Sequence, residues 1–389
     1  MILAIDGTEL QPINVELAEY SELFMLISAF IYTLAFILFT VDTARSSATI
    51  RRVEAELAQE QEAERIAVTA GAAEATASAQ ADGAAKTAQA STAETSQPDT
   101  STAETSSDGA GPGEAEVNAE LVDDDMAYAR PKRPLANVAV AITAVAAAAH
   151  IFAVVARGLA AGRWPLGNMF EFLTAAALVV TVVYLLALIR RDLRFLGVFV
   201  LGLVVTMMVA ATIGFPTPVG HVQPALQSPW IVIHVSLAVL AMALFTLTFA
   251  MNILQLVQSR RERQVTSGAE GALARSSFMR LVPSALSLEN WSYRINAVGF
   301  VFWTVGPMIT GAIWARESWG RYWGWDPKEI WTFVIWVVYA CYLHARATRG
   351  WTGNRAAWLS IIGFICIIIN YAVVNVFFPG LHSYAGLPE

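Results

Sequence analysis

The sequence predicts an all-α polytopic membrane protein: eight transmembrane helices, N and C termini outside, and a disordered cytoplasmic linker. Three observations lead there. Of the 389 residues, 56% are apolar and only 15% charged, with a mean hydropathy of +0.51, the balance of a chain solvated by lipid. Eight runs reach the ~20 mostly apolar residues that a helix needs to cross the hydrocarbon layer. The basic residues fall in alternate connections, as expected when cytoplasmic flanks are enriched in Lys and Arg.

The first run spans 22–41. The residues before it carry Asp6, Glu9, Glu16 and Glu19 and no basic residue, the reverse of a cleavable signal, so this run should stay as a membrane helix. Arg45, Arg51 and Arg52 follow it. Between 53 and 130 the chain is rich in Ala, Glu, Ser, Thr and Gly, repeats "STAETS" at 91–96 and 101–106, and has one aromatic, Tyr128. Such a segment cannot bury enough apolar surface to offset chain entropy, so it reads as disordered, with 50–66 able to extend as a short polar helix. Eighteen of the 32 acidic residues lie between Asp42 and Asp125. The net charge of −7 therefore belongs to one segment, and nothing suggests nucleic-acid binding. The expected organisation is an N-terminal helix (1–45), a low-complexity linker (46–133) and a seven-helix membrane domain (134–389).

The remaining runs lie at 136–156, 170–189, 195–214, 230–256, 293–314, 330–347 and 357–378. Arg130, Lys132 and Arg133 precede the second. Arg190, Arg191 and Arg194 follow the third. Arg260, Arg261, Arg263 and Arg280 lie between the fifth and sixth, and Arg346, Arg349 and Arg355 separate the last two. Alternation from an outside N-terminus puts every cluster on one side and leaves loops 157–169, 215–229 and 315–329 outside. Those loops hold scattered positives (Arg157, Arg163, Arg316, Arg321, Lys328), so the rule is a bias here. Cys341 and Cys366 are too few and too far apart for a disulfide framework.

Eight of the twelve tryptophans lie between Trp291 and Trp336. An interfacial aromatic belt explains Trp303, Trp314 and Trp336. It explains "SWGRYWGWDPKEIW" (318–331) poorly, because an anchor needs neither Gly320 and Gly324 nor so many charges. Asp326 followed by Pro327 reads as N-cap and first residue of a helix. The motif is then an outside loop folded against the membrane. The faces of Trp319, Trp323 and Trp325 suit a large planar ligand, with Arg321 and Lys328 available for its carboxylates.

The five histidines sharpen this reading. His234 lies about one turn below the outer surface, ~6 Å at 1.5 Å per residue, and His382 just past the last helix, also outside. Two neutral imidazoles on opposite faces of an iron macrocycle are a standard way to hold haem. His344 lies 15 residues after Glu329, ~22 Å deeper along its helix, and is by default a functional candidate facing the bundle. His150, in the outer half of the second helix, is either a further cofactor-binding candidate or a residue that needs no more than a hydrogen-bond partner, and His221 reads as a solvated loop residue. Asn168 and Glu171, in "RWPLGNMFEF", either cap the third helix or frame the ligand site.

These motifs resemble the CcsA/ResC haem-handling family of system II cytochrome c biogenesis, labelled CcsB in some lineages. "WGRYWGWDPKE" is similar to that family's WWD signature, "PLGNMFEF" to its segment at the third helix, and "LQSPWIVIHVSLA", "YLHAR" and "GLHSY" to its histidine segments. The likeness covers about 136–389, with Phe170 where a Tyr is usual. It implies His234 and His382 as external axial ligands of haem b on the WWD platform, and His344 as part of a second, intramembrane haem site completed by a ResB-type membrane subunit. His150 matches a family histidine of unassigned role. The resemblance further implies location in the cell membrane, thioredoxin-like thiol reductants, and attachment of haem to the CxxCH motif of apocytochrome c by thioether bonds. Nothing in the sequence looks like a general base or nucleophile, so a ligase-like scaffold is expected. Rival readings are a haem exporter without attachment activity, a b-type electron-transfer subunit, and a structural membrane subunit anchored by its indoles.

Overall fold

The structure, a computed structural model, describes residues 12–87, 133–222, 224–268, 271, 273–348 and 351–382. Among these, eight helices are long and apolar enough to span a membrane, and there is no strand. They are α1 (Val15–Thr87), α2 (Pro134–Ala161), α3 (Met169–Arg190), α4 (Arg194–Gly214), α5 (Pro229–Thr266), α6 (Ala285–Trp319), α7 (Pro327–Ala347) and α8 (Asn354–Phe377). Each of the eight expected runs coincides with one of them.

Local chemistry sets where these helices begin. The Asn168 side chain accepts from the Glu171 N–H at 2.9 Å, Ser228 accepts from Trp230 N–H, and Asp326 accepts from Lys328 N–H. Pro134, Pro229 and Pro327 each occupy a first-turn position, where the missing N–H has no intrahelical partner to lose.

The first two spans form an antiparallel pair fastened at three depths. Ser21 Oγ donates to Ala153 O at 2.8 Å, Tyr32 OH meets His150 Nδ1 at 3.4 Å, and Asp42 takes the Arg133 guanidinium and the Ala136 N–H. Buried Ala136, Ala139, Ala146 and Ala153 let the backbones approach closely, the usual packing device where lipid supplies no hydrophobic drive. Helix α5 is central and packs on α3, α6 and α8.

Three helices contain a π-helical segment: Ala210–Gly214 in α4, Thr304–Thr310 in α6 and Ile369–Val374 in α8. Pro307 lies inside the second and accounts for the lost regular ladder there.

Two expectations about the chain change. Helix α1 does not stop near the membrane surface but continues to Thr87, so the first part of the linker is helical well beyond 50–66. Its Ala- and Glu-rich sequence holds many strong helix formers, which propagate an existing helix. The rest of the linker lies outside the described residues. Trp303 and Trp314 are only 1% and 2% exposed; they face the inside of the bundle rather than an aromatic belt.

Candidate functional site

Helices α3, α5, α7 and the ends of α6 and α8 converge at one end of the bundle, where His234 and His382 meet the same indole. The His234 imidazole stacks on Trp314, with ring centroids 5.7 Å apart and planes 11° apart. His382 approaches Trp314 and Trp319 edge-on, at 5.4 Å and 4.8 Å. Gly311 makes the first contact possible: a Cβ there would lie 2.7 Å from His234 Nδ1.

Each imidazole has one nitrogen committed to the protein. His234 Nδ1–H donates to Gly306 O at 3.3 Å, and His382 Nδ1–H donates to Asp326 Oδ2 at 2.8 Å. That choice of tautomer leaves both Nε2 lone pairs available to a metal. Among the described residues no three His, Cys, Asp or Glu are grouped to hold a bare ion. A pair of imidazoles instead suits a metal that brings its own in-plane ligands.

The wide turns do specific work here. Gly306 O closes the π segment of α6 by accepting Gly311 N–H, and also accepts from His234. Asn370 O closes the π segment of α8 by accepting Asn375 N–H, and also accepts Lys328 Nζ at 3.3 Å. Lys328 Nζ donates to Asn375 Oδ1 at 2.9 Å and sits 4.2 Å from the centre of the Tyr371 ring. In both helices the carbonyl that completes the irregular turn therefore orients a site side chain, a recurrent use of π-bulges.

Asp326 joins the loop before α7 to the C-terminal segment. Its carboxylate accepts from Lys328 N–H at 3.3 Å, Leu381 N–H at 2.7 Å and His382. Gly380 passes so close that a Cβ would lie 2.3 Å from Asp326 Oδ1. Glu329 completes a capping box by accepting from Gly324 N–H at 2.8 Å and Asp326 N–H at 3.1 Å. Partial burial pushes the Asp326 carboxyl upward, but the His382 imidazole and the Leu381 and Lys328 N–H groups outweigh it and hold it below its ordinary value. The preceding residue, Trp325, has φ of +58°, a conformation unfavourable for a bulky side chain and often found at ligand sites.

The other anticipated residues fall into separate places. Trp323 lines the site and Trp325, 67% exposed, lies edge-on against it at 5.9 Å. Arg321 is exposed and packs its guanidinium over Gly324. Asn168 both caps α3 and lines the cavity beside His234 and His382. Glu171 does not reach that cavity. Its buried carboxylate takes Arg157 Nε at 2.9 Å, Arg163 Nη1 and Nη2 at 2.8 and 2.9 Å, and Gly167 N–H at 2.7 Å. Arg157 also holds Thr217 O, and Arg163 holds Gly220 O, so Glu171 ties two loops together from behind the site.

His344 is not with the other histidines and does not face the bundle. It is exposed on α7, on one stripe with exposed Ile330, Phe333 and Cys341, and α7 is the least buried of the eight spans. His150 is fully buried against Tyr32 between α1 and α2, and His221 is exposed in its loop.

Two small cavities of about 110 and 60 Å³ flank His234, Lys328, Tyr371 and His382, and a larger one of about 670 Å³ adjoins the first along Leu166, Gly167, Leu226 and Ile231. Open space therefore lies directly beside both imidazoles. Trp314, expected in an aromatic belt, belongs to the site instead, and Tyr371, Asn370 and Asn375 join it without having been anticipated. The available signals were the polar residues of "NYAVVN" within an apolar run and the paired glycines 306 and 311.

Residues 166–382 match a family model described as "Cytochrome C assembly protein". The chain is similar to the cytochrome c biogenesis protein CcsA of Heterosigma akashiwo, 37% identical over 250 residues that cover 58% of this chain and 77% of that protein. It is likewise similar to CcsA of Synechococcus elongatus, 35% identical over 265 residues (59% and 81%), and of Nicotiana tomentosiformis, 33% identical over 255 residues (60% and 81%).

Proposed function

This chain belongs to the cytochrome c assembly protein family, a multi-pass membrane protein of cytochrome c biogenesis, and from that premise we propose that it binds haem b as a substrate and presents it for attachment. Its site would lie on the extracytoplasmic face of the cell membrane, the side opposite the arginine clusters. With a ResB-type subunit it would join haem to the CxxCH motif of apocytochrome c, whose thiols thioredoxin-like proteins keep reduced. The observation that carries this reading is the convergence of His234 and His382 on Trp314, each with Nδ1 engaged and Nε2 left to bind iron.

In the attachment, each thiol S–H adds across a haem vinyl group. A C–S bond forms, the hydrogen ends on the adjacent vinyl carbon, and no group leaves. Such an addition asks the protein chiefly for geometry, and holding reactants in place is worth a large rate factor by itself. His234 and His382 would fix the iron, Trp319, Trp323 and Trp325 would flank the ring, and Lys328 and Arg321 would receive its carboxylates. His344, exposed on α7, would contribute to a second haem site that a partner helix completes within the membrane.

The test is the absorption spectrum of haem in the protein purified with its partner subunit. His234→Ala and His382→Ala should each abolish the bis-imidazole spectrum, and added imidazole should partly restore it. Unchanged spectra in both variants would refute the ligand assignment. Incubation of the purified complex with haem and a reduced CxxCH peptide separates attachment from export: covalent haem on the peptide supports attachment, and its absence with haem bound favours an exporter.

A further inference from the structure

The geometry points to Asp326 as a positioning residue that acts through His382, an inference that rests on the reading of His382 as a haem ligand. The segment after Phe378 has left the α8 ladder, and a histidine on such a segment has no helix to aim it. Two of its donors, Leu381 N–H at 2.7 Å and His382 Nδ1–H at 2.8 Å, converge on the single Asp326 carboxylate. That carboxylate is itself fixed. It caps α7 through Lys328 N–H, its backbone is held by Glu329, and the strained Trp325 immediately before it sets its direction.

The chemical consequence is threefold. The acceptor chooses the tautomer, since only Nδ1–H can donate to it, and Nε2 is left as the ligand atom. It places a carboxylate behind the ring, the arrangement that strengthens a ligating histidine's hold on a metal. It also holds the ring at one orientation against the edges of Trp314 and Trp319. His234 has a neutral carbonyl in the same role at the longer distance of 3.3 Å. The two imidazoles are therefore unequal, and Asp326 is the source of the difference. Asp326 does not line either cavity beside the histidines, so it reaches the ligand only through His382.

Two variants separate this role from helix capping. Asp326→Asn keeps the shape and a good N-cap, and Asp326→Ser keeps the cap but is too short to reach Nδ1. Both should retain helical content by circular dichroism. In haem-free protein with ¹⁵N-labelled histidine, nitrogen NMR of the wild type should show His382 as the Nδ1–H tautomer, and the variants should show a mixture. In haem-loaded protein the variants should keep bis-imidazole spectra, while imidazole in the medium displaces one ligand at roughly ten- to hundredfold lower concentration, the usual effect of losing such a partner. Wild-type tautomer and wild-type imidazole competition in both variants, with His382→Ala still changing the spectrum, would overturn this inference alone. A spectrum unchanged in His382→Ala would remove the functional reading and this inference with it.

Discussion

Replacing Glu171 with glutamine leaves the shape of the side chain intact but removes the one negative charge between two guanidinium groups. The side chains of Arg157 and Glu171 are 1% and 0% exposed, and that of Arg163 is 14% exposed. Arg163 can turn partly towards water, whereas Arg157, whose Nε donates to Glu171 at 2.9 Å, is left enclosed with its charge uncompensated. Breaking a buried ion pair from one side costs about 3–5 kcal/mol. The partial rescue of Arg163 argues for the lower end, about 3 kcal/mol, which at ~1.4 kcal/mol per decade is roughly a hundredfold change in the opening equilibrium. Because Arg157 and Arg163 also hold Thr217 O and Gly220 O, the opening should be local to 157–169 and 215–222. Native-state hydrogen exchange reads it directly: amides in these loops should exchange about a hundredfold faster than in the wild type, while those of α5 stay protected. The double variant Arg157→Gln with Glu171→Gln should recover part of the loss, since the stranded charge is gone. Unchanged loop exchange together with lost haem binding would refute the reasoning and return Glu171 to the ligand site.

Trp314→Ala removes the ring on which both histidines pack. At about 3–5 kcal/mol for such a buried truncation, it should lower the thermal midpoint more than truncation of any tryptophan in 318–331, as measured by intrinsic fluorescence of the purified protein. His344→Ala, on an exposed helix face, should change stability by less than ~0.5 kcal/mol and leave the spectrum of haem held by His234 and His382 unaltered; total haem per protein would fall through loss of the second site. Because the folded Asp326 carboxyl lies below its ordinary 3.8, its clip on the tail is fully present above that pH and is lost only as the pH drops through the lower folded value. Protection of the Leu381 amide, corrected for intrinsic exchange, should thus be flat from neutrality to about pH 4.5, and loss of protection between pH 6 and 5 would contradict the assignment.

The spans were legible because length and apolarity alone decide whether a helix can cross a bilayer, and every one was found in its place. The capping of α7 by Asp326 was equally legible, since Asp-Pro at a helix start is a local chemical signal. Long-range partners were not. Nothing in one sequence says that the carboxylate at 326 meets an imidazole 56 positions later, or that Glu171 meets Arg157 rather than a ligand. Trp314 was misread for the same reason: an indole near a predicted helix end looks alike whether it faces headgroups or a histidine. His344 was expected to face inward because ionisable groups avoid lipid, yet it is exposed on α7. The length of α1 was underestimated because poor burial was equated with absence of helix, although a helix once nucleated continues through alanines and glutamates.

The irregular turns of α6 and α8 have one further result. Each residue of a regular helix advances the chain by ~100°, so a π turn acts as a phase shifter: side chains beyond it point elsewhere than an unbroken spiral would send them. Trp314 and Asn375 both lie past such a shift. The lipid-embedded part of each helix can therefore be ruled by packing alone, while its final stretch is indexed separately for chemistry, and a variant in which 304–310 closed into regular α turns with no change in length would rotate the indole away from both histidines without touching either of them.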